Sequence, residues 1–204
     1  MISLKLAHYI NLLPGGLSVL ELGDQNIEGI NGIVGPRLSS CGTLSFRHTW
    51  TTYDIGSWND GVIRQDISDI YPANNASFDL IIDGGTMEHV GKTDANHYQA
   101  WKNLHEWLKV GGMIISITQL PGSLPGHCKY RYDEQYFETW SQIGYSVSHS
   151  VFRWANSGHP LIMGTMQKMN NCNFLSHVDL FNAINIDLSP IEPFQNYPNH
   201  DPNS

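Results

Sequence analysis

Residues 78–90, FDLIIDGGTMEHV, join a run of aliphatic side chains to a double glycine and then to three polar groups. Phe78, Leu80, Ile81 and Ile82 put apolar groups on both faces of an extended segment, which suits a parallel strand covered by helices above and below. Polar groups at the carboxyl end of such a strand stand on the rim where α/β proteins bind ligands. Asp83 closes the strand, Gly84 and Gly85 let the backbone turn sharply, and Thr86, Glu88 and His89 open the next segment. The stretch therefore predicts both the kind of sheet and the place of a site.

Working outward, residues 17–23 (LSVLELG) form a second compact apolar run ending in glycine, the pattern of a central strand. Before it, Leu4, Ala7, Ile10, Leu12 and Leu13 recur with a roughly helical rhythm that Pro14-Gly15-Gly16 ends. After it comes a stretch spaced by Gly29, Gly32 and Gly35, then a strand within residues 44–55 and a short one at 62–67. Downstream of the opening stretch, Tyr98, Trp101, Leu104 and Leu108 place a helix over 94–108, and residues 113–118 (MIISIT) read as a fifth strand. A helix over 133–143 stops at Gly144, and strands over 145–153 and 161–169, linked by Ala155-Asn156-Ser157-Gly158, read as an antiparallel hairpin. Strands alternating with helices predict a three-layer α/β sandwich, with a seven-stranded, mostly parallel sheet containing one antiparallel strand. Residues 1–170 are expected to form one domain. Residues 171–204 form an Asn/Pro-rich extension with a short helix near 176–184 and a mobile tail from Pro190.

The 204 residues suit a single core of ordinary size. A net charge of −8 with only 11 Lys and Arg argues against a phosphate-backbone footprint, so a small polar partner is expected and nucleic acid is not. Three cysteines, Cys41, Cys128 and Cys172, are far apart and in no CxxC pair, which predicts neither a disulfide framework nor a structural zinc site. A reducing, cytoplasmic setting follows. No apolar run approaches the ~18 residues of a membrane span, so no membrane association is expected.

Four further segments accompany the opening one in order: Val19-Leu20-Glu21-Leu22-Gly23, Tyr53-Asp54-Ile55-Gly56, Gln65-Asp66-Ile67-Ser68 and residues 108–115, LKVGGMII. Together they resemble the class I S-adenosylmethionine-dependent methyltransferases, especially small-molecule methyltransferases whose fourth strand leads into Glu-His-Val or Glu-His-Ile. The resemblance runs from about residue 17 to residue 169. It implies methyl transfer from S-adenosylmethionine to a small polar acceptor by in-line displacement. One departure concerns the first loop: that family sets two or three glycines close together, whereas this chain reads Gly23-Asp24-Gln25-Asn26-Ile27-Glu28-Gly29.

The resemblance assigns cofactor contacts to Glu21, Gly23, Asp24, Asp54, Ile55, Asp66, Ile67, Asp83, Gly84 and Gly85. A glycine at position 23 allows close backbone approach, and a carboxylate at 54 accepts from two vicinal ribose hydroxyls. Asp66 would accept from the adenine amino group while the Ile67 backbone fixes the ring edge, and Glu21 or Asp83 would orient the methionine ammonium. A base is needed only if the acceptor must lose a proton, and His127, His89 and Glu88 are the candidates. Against this stands the plainer reading of Glu88 and His89 as a helix start. Tyr130, Tyr132 and Tyr136 stand where they could wall an acceptor pocket, although tyrosines more often pack. No metal is expected: His97 and His105 lie about two turns apart on one helix, not the one turn that brings two ligands to one ion. A nicotinamide oxidoreductase would want GxGxxG after the first strand, and a base-flipping amino-methyltransferase would want Asn/Asp-Pro-Pro-Tyr after the fourth; both are absent. A catalytically silent, methyltransferase-like binding or scaffold protein is the remaining alternative. The oligomeric state is left open.

Overall fold

The computed structural model describes residues 2–23, 26–28, 34–37, 39, 42–56, 60–70, 72–153 and 158–187. Asp24, Gly29, Gly32, the hairpin link at 155–157 and the tail from Pro190 fall outside them. The described elements are β1 (Ile2–Ser3), α1 (Leu4–Leu12), β2 (Ser18–Leu22), β3 (Asn26–Glu28), β4 (Val34–Arg37), α2 (Gly42–Arg47), β5 (Thr49–Asp54) and β6 (Val62–Arg64). They continue with β7 (Phe78–Asp83), α3 (Asp94–Trp107), β8 (Leu108–Gln119), β9 (Tyr130–Arg131), α4 (Glu134–Ser141), β10 (Tyr145–Arg153), β11 (Pro160–Lys168), α5 (His177–Ala183) and β12 (Asn185–Ile186).

Seven strands form one sheet in the order β10-β11-β8-β7-β2-β5-β6. β2, β5, β6, β7 and β8 run parallel, and β11 lies antiparallel between β8 and β10. This is the predicted sheet, with its one reversed strand. The four strand ends that carry the sequence motifs thus share one rim. A three-stranded sheet of β1, β3 and β4 and a two-stranded ladder of β9 with β12 complete the pairing.

Alternation along the central strands sends side chains to two separate cores. Leu20, Leu22, Ile81 and Ile114 face α3, α4 and α5, where Trp101, Leu104, Trp107, Phe137, Trp140 and Leu180 meet them. Val19, Leu80, Ile82, Ile115 and Ile117 face the opposite way and meet Leu6, Ala7 and Ile10 of α1 and Leu44 of α2. Each fully buried large side chain contributes about 1.5–3 kcal/mol, and the larger aromatic share lies on the α3–α4 side. The strand expected within residues 44–55 is β5, which starts at Thr49; Leu44 lies ahead of it in the short helix α2. Leu175, Leu180, Ala183 and Ile184 belong to the same core as α3 and α4. α3 starts where Thr93 caps it by accepting from the Asn96 amide at 3.2 Å, and α5 where Ser176 accepts from Asp179 at 3.1 Å. Among the described residues no helix is long and apolar enough to cross a membrane.

Candidate active site

A cleft of about 720 Å³ opens at the carboxyl ends of the parallel strands. Gly23, Asp54, Ile55, Asp66, Ile67 and Gly85 line it, brought together from the ends of β2, β5, β6 and β7. Gly23 leaves β2 at a φ of 75°, a left-handed conformation that L side chains rarely adopt, and its amide donates to the Tyr53 carbonyl at 2.8 Å. The Asp54 Oδ1 accepts from the Gly56 amide at 2.6 Å, and the Asp66 Oδ1 accepts from the Ser68 amide at 2.9 Å and its hydroxyl at 2.7 Å. These Asx-type bonds fix two carboxylates on the wall of the cleft. Ile55, 62 % exposed, gives the rim an apolar surface.

Of the other cofactor candidates, Glu21, Asp83 and Gly84 are buried. Asp83 is fully buried, with Oδ1 accepting from the amides of Thr86 at 2.8 Å and Met87 at 3.0 Å, and Oδ2 accepting from the Ser116 hydroxyl at 2.6 Å. Burial raises its pKa, and those hydrogen bonds pull against the rise. Both oxygens are thus engaged in holding the turn after β7. Gly84 is buried beside it. Glu21 is buried within the sheet and accepts from the Thr52 hydroxyl at 3.2 Å, away from the cleft wall. Asp24 is outside the described residues. The cleft also takes Gln65, Ser68, Thr86, Lys92 and Asn96, to which the resemblance assigned no cofactor contact. Their positions within four residues of a strand end, or at the start of α3, were the available signal.

The three candidates for proton chemistry come together although two separate segments carry them. Glu88 and His89 sit on a 3-10 turn, Met87–His89, whose Thr86 hydroxyl donates to the Leu22 carbonyl at 2.8 Å. His127 follows β8 in a loop held from behind: the Asp187 carboxylate accepts from the Gly126 amide at 3.2 Å and from Arg131 at 3.0 Å, next to the β9–β12 ladder. The Glu88 Oε1 lies 3.7 Å from the His89 Nε2 and 3.8 Å from the His127 Nε2, and the two rings meet edge-on at 4.8 Å. The other Glu88 oxygen, Oε2, accepts from the Thr118 hydroxyl and from the Gln119 amide at 3.2 Å. Burial lifts the Glu88 pKa to about 7, with the Asp83 charge adding to the rise and the Thr118 hydrogen bond opposing it. Burial lowers both histidines below their ordinary value, with Arg131 adding to it and His127 also acting on His89. Both imidazoles are therefore neutral near pH 7 and able to accept a proton. His89 alone of the three also lines the cleft.

Tyr130, Tyr132 and Tyr136 do not wall a pocket: they are at most 1 % exposed and sit in the aromatic core. Tyr132 receives a hydrogen bond from the Trp101 indole at 3.2 Å and lies 2.8 Å from the His97 Nε2, while the His97 Nδ1 lies 2.8 Å from the Val90 carbonyl. That pairing suits a neutral ring donating from Nδ1, and burial holds the His97 pKa down at about 4 against 6.5 for a free imidazole. Between those values the unfolded chain binds a proton that the folded chain does not. Stability is therefore complete above pH 6.5 and falls as the pH drops toward 4, by on the order of 1 kcal/mol per pH unit. Urea midpoints of wild type and His97→Gln between pH 7 and pH 4 check this: the variant's slope is expected to be shallower.

Comparison with known proteins now bears on this geometry. Residues 52–116 match a family model described as a methyltransferase domain, a span that runs from β5 to the middle of β8. Among solved structures, the 1,6-didemethyltoxoflavin N1-methyltransferase of Burkholderia thailandensis, determined with its substrate and S-adenosylhomocysteine, shares 16 % identity at a TM-score of 0.56, over 81 % of this chain and 76 % of that one. The N-methyltransferase NodS of Bradyrhizobium japonicum with S-adenosylhomocysteine gives 14 % and 0.56, over 81 % and 85 %. A SAM-dependent methyltransferase of Archaeoglobus fulgidus gives 14 % and 0.54, over 80 % and 91 %. A search of curated proteins finds no match.

The fold is that of the class I methyltransferases. Within it, residues 52–116 match a methyltransferase domain.

Proposed function

We propose that the chain transfers a methyl group to a small polar acceptor presented beside Glu88, His89 and His127. The observation that carries this reading is the assembly of Gly23, Asp54, Asp66 and Gly85 from four strand ends around one cleft, with His89 on its wall. The cleft's volume of about 720 Å³ lies within the ~300–1,000 Å³ common for small-ligand sites. S-adenosylmethionine, when bound, supplies a methyl group already activated on a sulfonium for in-line displacement. The cleft's residues fit it: two carboxylates pinned by their own loops for the ribose and adenine ends, the Ile67 backbone for the ring edge, and Gly23 and Gly85 leaving the wall without side chains.

The protein's share is alignment, and alignment supplies much of the rate. His127 or His89, kept neutral by burial, takes the acceptor's proton where the acceptor is a hydroxyl or a protonated amine. Glu88 beside them is positioned by Thr118 and Gln119 and balances the charge that arrives. The net charge of −8 favours a small acceptor over nucleic acid.

Calorimetry with S-adenosylhomocysteine tests the reading. Micromolar, one-to-one binding is expected. No heat at high micromolar ligand would sink the enzyme and leave a silent scaffold. Release of S-adenosylhomocysteine against pools of small metabolites then finds the acceptor.

A further inference from the structure

We propose that Glu88, His89 and His127 form a binding site for one divalent transition-metal ion of the zinc or cobalt type. The three ligand atoms lie within 4.8 Å of one another. The carboxylate–imidazole separations of 3.7 and 3.8 Å exceed hydrogen-bond length, so the trio is not a direct proton relay. Three ligands each about 2.1 Å from a tetrahedral ion stand roughly 3.4 Å apart, so an ion at the centre asks for shifts of a few tenths of an ångström on these two edges. The edge between the imidazoles closes further, by rotation of two rings that are 29 % and 25 % exposed.

The surroundings are those of a held ligand. Thr118 and the Gln119 amide take the Glu88 Oε2, which leaves Oε1 toward the imidazoles; an outer partner of this kind fixes a metal-binding carboxylate. Two imidazoles and one carboxylate suit zinc, cobalt or iron(II) and leave at least one coordination position open. His89 belongs to the cleft wall as well, so that position borders the cleft and suits an oxygen or nitrogen lone pair of an acceptor, whose acidification by the bound ion would then replace proton uptake by the imidazoles. The opposing cation is Arg131, and the Asp187 carboxylate 3.0 Å from its guanidinium counters it. Asp83, buried beneath the turn, adds an acidic group on the far side.

Cobalt(II) chloride is the probe. The full chain, stripped with a chelator and dialysed, is titrated by calorimetry and visible absorption. One equivalent is expected, with d–d bands of low-coordinate cobalt. His127→Ala and Glu88→Gln are expected to weaken binding by about 100-fold and Thr118→Val by about 10-fold, whereas His8→Ala on the exposed face of α1 changes nothing. Equal affinity in wild type and the ligand variants, or no binding in wild type, overturns the proposal. Should a variant fail to fold, ring-nitrogen NMR of the wild type with zinc chloride decides. The His89 and His127 signals shift and those of the other eight of the ten histidines do not; any other pattern overturns the proposal. Neither readout needs S-adenosylhomocysteine, so failure here leaves the methyl-transfer reading standing, and the reverse also holds.

Discussion

Replacing Gly164 by alanine is expected to destabilise the protein by about 3 kcal/mol and to lower its melting temperature by roughly 6–12 °C. A Cβ at this position of β11 would lie 2.1 Å from two ring carbons of Phe137 and 2.7 Å from a third. Phe137 is fully buried in α4, with Tyr136 5.1 Å away on one side and His149 of β10 on another, so its ring has nowhere open to go. The backbone cannot retreat sideways either, because Gly164 is paired with Ser116 of β8 and His149 of β10. The glycine is what lets α4 settle on the sheet. Thermal melts by circular dichroism measure the effect, and in a Phe137→Leu background the same substitution is expected to cost clearly less. A melt within about 2 °C of wild type would show that the ring yields freely.

Asp54→Ala is expected to weaken S-adenosylhomocysteine binding by about 30-fold while leaving the melting temperature nearly unchanged. The carboxylate stands half-buried at the end of β5 and is held by the Gly56 amide at 2.6 Å, so its geometry is set before a ligand arrives. A ribose diol offers two donors, and a pre-positioned carboxylate accepts both with charge assistance. Asp54→Asn keeps one acceptor oxygen and should lose less, about threefold to tenfold. Asp66→Ala tests the adenine end separately, although part of its effect comes through the Ser68 turn that the carboxylate holds. Unchanged calorimetry in Asp54→Ala would remove the ribose assignment and leave the cleft without its main anchor.

The centre of the fold was legible because burial on both faces leaves a plain mark. β7 spans Phe78–Asp83 as read, and β10 spans Tyr145–Arg153. The ends of the elements and their partners were less so. Leu44 is apolar in either a strand or a helix, and only its packing against α1 decides for the helix. Tyr130, Tyr132 and Tyr136 could have walled a pocket, with packing the commoner outcome for tyrosine, and their burial decides for packing. Gly164 inside a strand was a readable sign of close approach, but its partner in α4 was not. For the site, acids and glycines at strand ends pointed to the cleft, whereas the hydrogen bonds by which Asp83 holds the turn after β7 left no mark in the sequence. The meeting of His127 with Glu88 and His89 depends on where the loop after β8 returns, and no spacing in the sequence records that.

The brace behind that loop has a consequence for how the protein can change. The matched methyltransferase segment ends at residue 116, whereas His127, the β9–β12 ladder and Asp187 all lie beyond it. Most of the cleft wall therefore belongs to one stretch of chain, and the loop that carries His127 is braced by another, through the β9–β12 ladder and the Asp187 carboxylate. Selection can act on the two separately. Substitutions near residues 185–187 can shift His127 while the cleft wall carried by residues 53–96 stays as it is.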